Sequence, residues 1–139
     1  MAKVFETYRG FVYPWMIDHV GHMNVQFYVG RFDEASWHFL ARLGFGPARL
    51  KDTQRAFVGG EQQIEYKREV KSGTLIHVVT ELLEIKRKTV RYVHRMYDTE
   101  ADQLVASMNL LAIYFDTEAR KSAELPQSAL DRGAEILAG

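Results

Sequence analysis

The sequence predicts an α+β fold in which one curved antiparallel sheet of about five strands wraps around a single long helix. Three observations predict it. Apolar residues Val25, Tyr28, Val29, Phe32, Ala35, Phe39, Leu40 and Leu43 recur at intervals of three and four, which places them on one stripe of a helix. Four strand-like segments follow, separated by short polar connections of the length that joins hairpins. One more strand-like segment precedes the helix, and this order lets an antiparallel sheet curl around the apolar stripe.

Each element has its own local reason. Val4 to Tyr13 is rich in β-branched and aromatic residues, which suit a strand, and Pro14 ends it. Trp15 to Asn24 is irregular. Asn24 stands immediately before the first periodic residue, where its side chain can accept a hydrogen bond from an orphaned N–H of the first helical turn. Arg31, Glu34, His38 and Arg42 fall mostly on the polar side of the helix, and Gly44 with Gly46-Pro47 stops it. After a loop to about Gln54, strands are expected over Ala56 to Val70, Thr74 to Ile85, Thr89 to Tyr97 and Gln103 to Phe115.

Val105 to Phe115 is apolar at most positions, the pattern of a central strand covered on both faces. One helix cannot cover two faces, so a second subunit is expected against the outer face or the edge. Pro126 is expected in the first turn of a short, peripheral helix running to about Leu137. No repeat or linker divides the chain, so residues 1–139 are read as one domain.

Composition narrows the partners. With 18 basic and 18 acidic side chains, nothing in the overall charge favours nucleic acid or an anionic membrane. The absence of cysteine excludes disulfides, thiolate nucleophiles and cysteine metal sites. Neither an apolar signal core nor a run of membrane-spanning length is present, and a cytoplasmic location is expected.

One stretch carries chemistry. Asp18-His19-Val20-Gly21-His22-Met23-Asn24, with Tyr28 following, resembles the active-site signature of the hot-dog-fold acyl-CoA thioesterases, in the branch of 4-hydroxybenzoyl-CoA thioesterase. Ile64 to Val70, the turn at Gly73 and Leu125-Pro126 resemble that family as well. The resemblance implies a hot-dog fold, an acyl-CoA or acyl-carrier-protein thioester as substrate, and no cofactor. It also implies a homodimer or homotetramer with its site at a subunit interface. By position it makes Asp18 the catalytic carboxylate, Gly21 the glycine that follows it, Tyr28 the motif tyrosine and the Val25 backbone N–H the donor that polarises the carbonyl. At His22-Met23-Asn24 the 4-hydroxybenzoyl enzymes carry apolar or aromatic residues, whereas other acyl thioesterases carry a similar His-Val-Asn.

The chemistry also follows from the residues. Thioester hydrolysis accumulates negative charge on the carbonyl oxygen, and a helix N-terminus offers free N–H groups and a positive dipole end to receive it. A turn at Gly21 brings the Asp18 carboxylate to the same place, to attack the acyl carbon or to take a proton from water. The plainer alternative is that Asp18 caps a turn and Asn24 caps the helix.

Asp18, His22 and Asn24 are therefore the catalytic candidates, Asn24 chiefly as a cap and His22 as a hydrogen-bonding residue of the pocket. His19 and His22 with Asp18 lack the further ligands that a zinc site needs, so no metal is expected. His38, His77 and His94 have no motif context and are read as surface or sheet residues, and Tyr28 and Phe32 as core, with Tyr28 reaching the acyl pocket. Coenzyme A phosphates need cations, for which Arg87 in Lys86-Arg87-Lys88 is the first candidate and Lys67-Arg68 the second. Gly59-Gly60 inside a strand suggests a bulge, with Glu61 and Gln63 beside it as polar contributors across a subunit interface. Two competing readings are a hot-dog hydratase or dehydratase, whose Asn-Pro pair is missing here, and a non-catalytic acyl-thioester binding module.

Overall fold

The computed structural model describes residues 3–139. Strand β1 (Val4–Phe11) leads through a single tight helical turn at Pro14–Met16 to helix α1 (Val25–Arg42) and the short α2 (Pro47–Leu50). Four long strands follow: β2 (Arg55–Tyr66), β3 (Leu75–Ile85), β4 (Thr89–Asp98) and β5 (Gln103–Asp116). A two-residue strand β6 (Lys121–Ser122) and helix α3 (Gln127–Ala138) complete the chain. All strand pairs are antiparallel in the order β1-β3-β4-β5-β2, with β6 beside β5. This is the hot-dog arrangement that the motif implies, with α1 held inside the curled sheet.

The helix forms where its apolar spacing requires. Asn24 caps it, its side-chain oxygen accepting the Gln26 N–H at 3.0 Å. Tyr28, Phe32, Ala35, Phe39 and Leu40 are buried against the sheet. Phe39 lies 4.8 Å, centroid to centroid, from Tyr92 on β4 and 6.0 Å from Phe5 on β1. Burying each such side chain contributes roughly 1.5–3 kcal/mol, so this stripe fixes α1 in the sheet.

On β5, Met108, Leu110, Ala112 and Tyr114 are buried on the helix side, whereas Ser107, Asn109, Leu111 and Ile113 alternate with them on the outer face and are half-buried within the single chain. Arg91 spans the outer face, donating to Asn109 at 2.8 Å and to Glu61 at 3.1 Å, and Arg95 pairs with Glu81 at 2.8 Å. On that face Leu111 and Ile113 lean over Gly60 at the β2 bulge, where a Cβ would stand only 2.8 Å from the Ile113 Cδ1.

Two boundaries move. Strand β2 ends at Tyr66 rather than Val70, because the N–H groups of Lys67 and Arg68 both turn to the Val105 carbonyl, at 2.8 and 3.2 Å, and the ladder stops there. Pro126 sits just before α3 instead of inside its first turn. The tail is not peripheral, since Leu125, Ala129 and Ile136 are buried in the main core and α3 packs on β3, with Gly133 against Ile85. Among the described residues, no helix is long and apolar enough to cross a membrane.

Candidate active site

The segment between β1 and α1 folds into a small hydrogen-bonded loop. Ile17 bridges to Met23, the Gly21 N–H donates to the Asp18 carbonyl at 3.0 Å, and the Asp18 N–H donates to the His22 carbonyl at 3.3 Å. Gly21 closes this turn at φ +96°, a conformation that side-chain-bearing residues rarely adopt. Two bonds anchor the loop to the body of the protein. The Met23 N–H reaches the Val70 carbonyl at 2.7 Å, and the Asn24 N–H reaches the Met16 carbonyl at 2.9 Å.

Both oxygens of Asp18 are held. Oδ1 accepts the Val20 N–H at 2.9 Å, and Oδ2 accepts the Asn24 side-chain N–H at 2.8 Å. The turn-capping role weighed from sequence is therefore real, and it leaves lone pairs free, because a carboxylate has more acceptor sites than these two bonds use. The Asn24 hydrogen bond first, and the Val20 N–H second, hold the Asp18 carboxyl below the usual carboxylate range. Asn24 thus joins two parts of the site: one end of its amide caps α1 and the other fixes Asp18. The Val25 N–H, the first of the helix, makes no hydrogen bond within the chain among the described residues. It remains available at the positive end of α1.

A cleft of about 280 Å³ opens beside this helix end, lined by His22, Val25, Tyr28, Tyr66, Lys67 and Arg68 among others. The ring of Tyr28 meets that of Tyr66 edge-on at 5.1 Å, and burial pushes its hydroxyl up to about 12, so it stays protonated at neutral pH. His22 lies 3.9 Å from Glu69 and is part-exposed. Asp18, Gly21, His22, Asn24, Val25 and Tyr28 accordingly gather around the start of α1.

Glu61, Gln63 and Arg87 do not join them within the chain. Glu61 and Gln63 pair with Leu111 and Asn109, on the outer face of β2, whereas their neighbour Gln62 pairs with the inward Leu110. Arg87 forms an ion pair with Glu124 at 2.6 Å in the β3–β4 turn. That turn lies a full strand, roughly 33 Å, from the end of β3 nearest the motif. The cations that do line the cleft are Lys67 and Arg68. The Lys86-Arg87-Lys88 turn is denser in charge, and the early end of β2 is what brings the sparser pair to this cleft. Among the described residues, no group of three or more His, Cys, Asp or Glu side chains is placed to hold a metal ion.

This combination defines a class: a curled sheet around a helix whose N-terminus carries a fixed carboxylate and a free N–H is built for acyl-thioester chemistry. Residues 12–133 match the model of the thioesterase-like superfamily. The chain belongs to that superfamily. It is 26% identical over 132 residues to the betainyl-CoA thioesterase of Pseudomonas aeruginosa, a match spanning 95% of this chain and 83% of that one. A Staphylococcus aureus protein solved in complex with CoA superposes with a TM-score of 0.89 at 17% identity, over 99% of this chain and 86% of the other. The 1,4-dihydroxy-2-naphthoyl-CoA thioesterase of Synechocystis superposes at 0.82 with 17% identity, covering 96% and 98% of the two chains.

The geometry makes Asn24 a sensitive probe. Asn24→Ala removes the helix cap, expected to cost about 1 kcal/mol of stability, and also the hydrogen bond that most lowers the Asp18 carboxyl. With Asp18 acting as a carboxylate, as the family resemblance implies, activity is expected above its pKa and lost as pH falls through it. With Asn24 gone that pKa rises, and the acid limb of the kcat/KM profile is expected to move to higher pH. An unmoved limb in a folded variant would detach Asp18 from the reaction.

Proposed function

We propose that the protein is an acyl-CoA thioesterase that releases a free acid and coenzyme A, with Asp18 as nucleophile or general base. The observation that carries this reading is the Asn24 fork, which sets the Asp18 carboxylate against a helix end whose Val25 N–H is unengaged. The thioester carbonyl oxygen takes the Val25 N–H, and charge building on it is stabilised by that N–H and the helix dipole. Asp18 either bonds to the acyl carbon, expelling the CoA thiolate and leaving an anhydride for water to cleave, or removes a proton from the water that attacks. His22 and Tyr28 line the pocket, and Lys67 and Arg68 receive phosphate charge at its mouth. Thiol release from a panel of acyl-CoA thioesters tests the reading, and the name of the Pseudomonas aeruginosa relative makes betainyl-CoA the first to try. No release from any thioester would overturn it. In a single turnover in heavy-oxygen water, label in the Asp18 carboxylate marks the nucleophilic route with water attacking the aspartyl carbonyl of the anhydride, and trapping of the acyl-enzyme covers attack at the other carbonyl.

The working unit in this proposal is at least a dimer. Strand β2 is the free edge of the sheet, exposed from Gly59 to Gln63, with Val58 and Tyr66 exposed beside that stretch. A long, unpaired edge is a template for pairing with a second copy. Sedimentation at micromolar concentration is expected to show a dimer or larger species. A monomer with full activity would remove the shared site.

A further inference from the structure

A second cavity, of about 120 Å³, lies farther along α1, between that helix and strands β2, β4 and β5. Drug-sized ligands occupy roughly 300–1,000 Å³, so this space suits a small group. Its lining is apolar and aromatic except for Asp33, Ser36, Gln62 and the hydroxyl of Tyr92, and it contains no Lys, Arg or His. Asp33 has no ion-pair or hydrogen-bond partner among the described residues. Trp37, 49% exposed, and Phe57 supply aromatic surface.

A buried chain of hydrogen bonds sets the character of this lining. Ser36 Oγ lies 2.8 Å from His94 Nε2, His94 Nδ1 lies 2.6 Å from Thr80 Oγ1, and Thr80 Oγ1 lies 2.8 Å from Thr7 Oγ1. Thr7 donates to the Val78 carbonyl at 3.4 Å. His94 is fully buried and burial holds it neutral, so it donates to one of the two hydroxyls beside its ring and accepts from the other. Ser36 is thus engaged with His94, and what the cavity offers a ligand is the Asp33 carboxylate, the Tyr92 hydroxyl, the Gln62 amide and aromatic faces.

With one carboxylate, aromatic faces and no cationic side chain, the lining favours a cation over an anionic tail. We propose that this cavity receives a small alkylammonium-bearing acyl group, selected over uncharged tails by Asp33, Trp37 and Tyr92. The proposal rests on the thioesterase reading and on the paired unit. Asp33 and Trp37 stand about 12–18 Å along α1 from Val25, too far for a short acyl group to reach from the same chain. The thioester is thus attacked by Asp18 of a second copy lying across β2.

The experiment compares two isosteric substrates, trimethylammonioacetyl-CoA and tert-butylacetyl-CoA, with the wild type and Asp33→Asn. The wild type is expected to favour the cation in kcat/KM by at least about tenfold, from the Asp33 charge together with cation–π contacts to Trp37 and Tyr92. Asp33→Asn is expected to cut that ratio severalfold and leave only the aromatic share. A wild-type ratio of one or less, or a ratio unmoved by Asp33→Asn, overturns the proposal. Should the wild type cleave neither thioester, the thioesterase reading is what fails, and calorimetric titration with choline and its tert-butyl analogue decides the cavity on its own. Tighter binding of choline by the wild type, weakened in Asp33→Asn, supports the cation site, and equal binding of the two overturns it. Mixed dimers of Asp18→Asn and Asp33→Asn test the trans arrangement. Recovery of cation-selective turnover on mixing supports it, and no recovery in verified mixed dimers overturns it.

Discussion

Asp18→Asn is expected to lower turnover at least about a hundredfold, the lower end of what a general acid–base or nucleophilic group supplies, while substrate binding largely survives. The substitution is close to isosteric and its effect on the loop is small. The amide oxygen can still accept from the Asn24 side chain, although its N–H₂ end then meets the Val20 N–H, a donor facing a donor. Parallel measurements of helicity and thermal melting show whether the fold is intact, and near-normal hydrolysis by a folded variant would end the case for Asp18.

Gly21→Val is expected to lose most of its activity, with less effect on binding. No atom lies within 4 Å of where a Cβ on Gly21 would stand, so the side chain itself has room. The backbone is the obstacle: φ +96° costs a non-glycine residue about 1–3 kcal/mol, and a β-branched one lies at the unfavourable end. The turn relaxes instead, and Asp18 moves relative to the start of α1. A displacement of about 1 Å can cost roughly a hundredfold in rate. Val25→Ala is the matched control because it changes a half-exposed side chain and leaves the backbone N–H in place, so it should keep most of its turnover. Equal activity in the two folded variants would show that the Gly21 turn positions nothing.

What was legible in the sequence is what depends on near neighbours. The span of α1, the cap at Asn24 and the positive φ at Gly21 all follow from residues within a turn or two of one another. The pairing of Asn24 with Asp18 was half visible: cap and carboxylate were each recognised, but not that a single amide serves both. Less could be read where distant segments decide. The run from Val105 to Phe115 shows in sequence that both faces are apolar, but not that Leu111 and Ile113 lean over Gly60 of the neighbouring strand. His94 looked like an ordinary sheet residue, since its partners Ser36, Thr80 and Thr7 come from three other elements. The same holds for Lys67 and Arg68, whose place at the cleft depends on where Val105 intercepts their N–H groups as β2 ends.

The order of the strands also bears on how the chain reaches this state. β3, β4 and β5 form a meander joined by short turns, whereas the outer strands close long loops, Val4 meeting Glu81 and Arg55 meeting Asp116. Loop closure is unfavourable until the contacts it allows are made, so the meander is the cheap nucleus and the two edges set the pace of folding. Helix α1 lies in sequence between those two edges, and the loop from Asp18 to Asn24 is tied on one side to Met16, just after β1, and on the other to Val70, just after β2. That loop therefore matures only when both slow closures are complete, and during refolding the return of turnover is expected to trail the return of β-sheet signal.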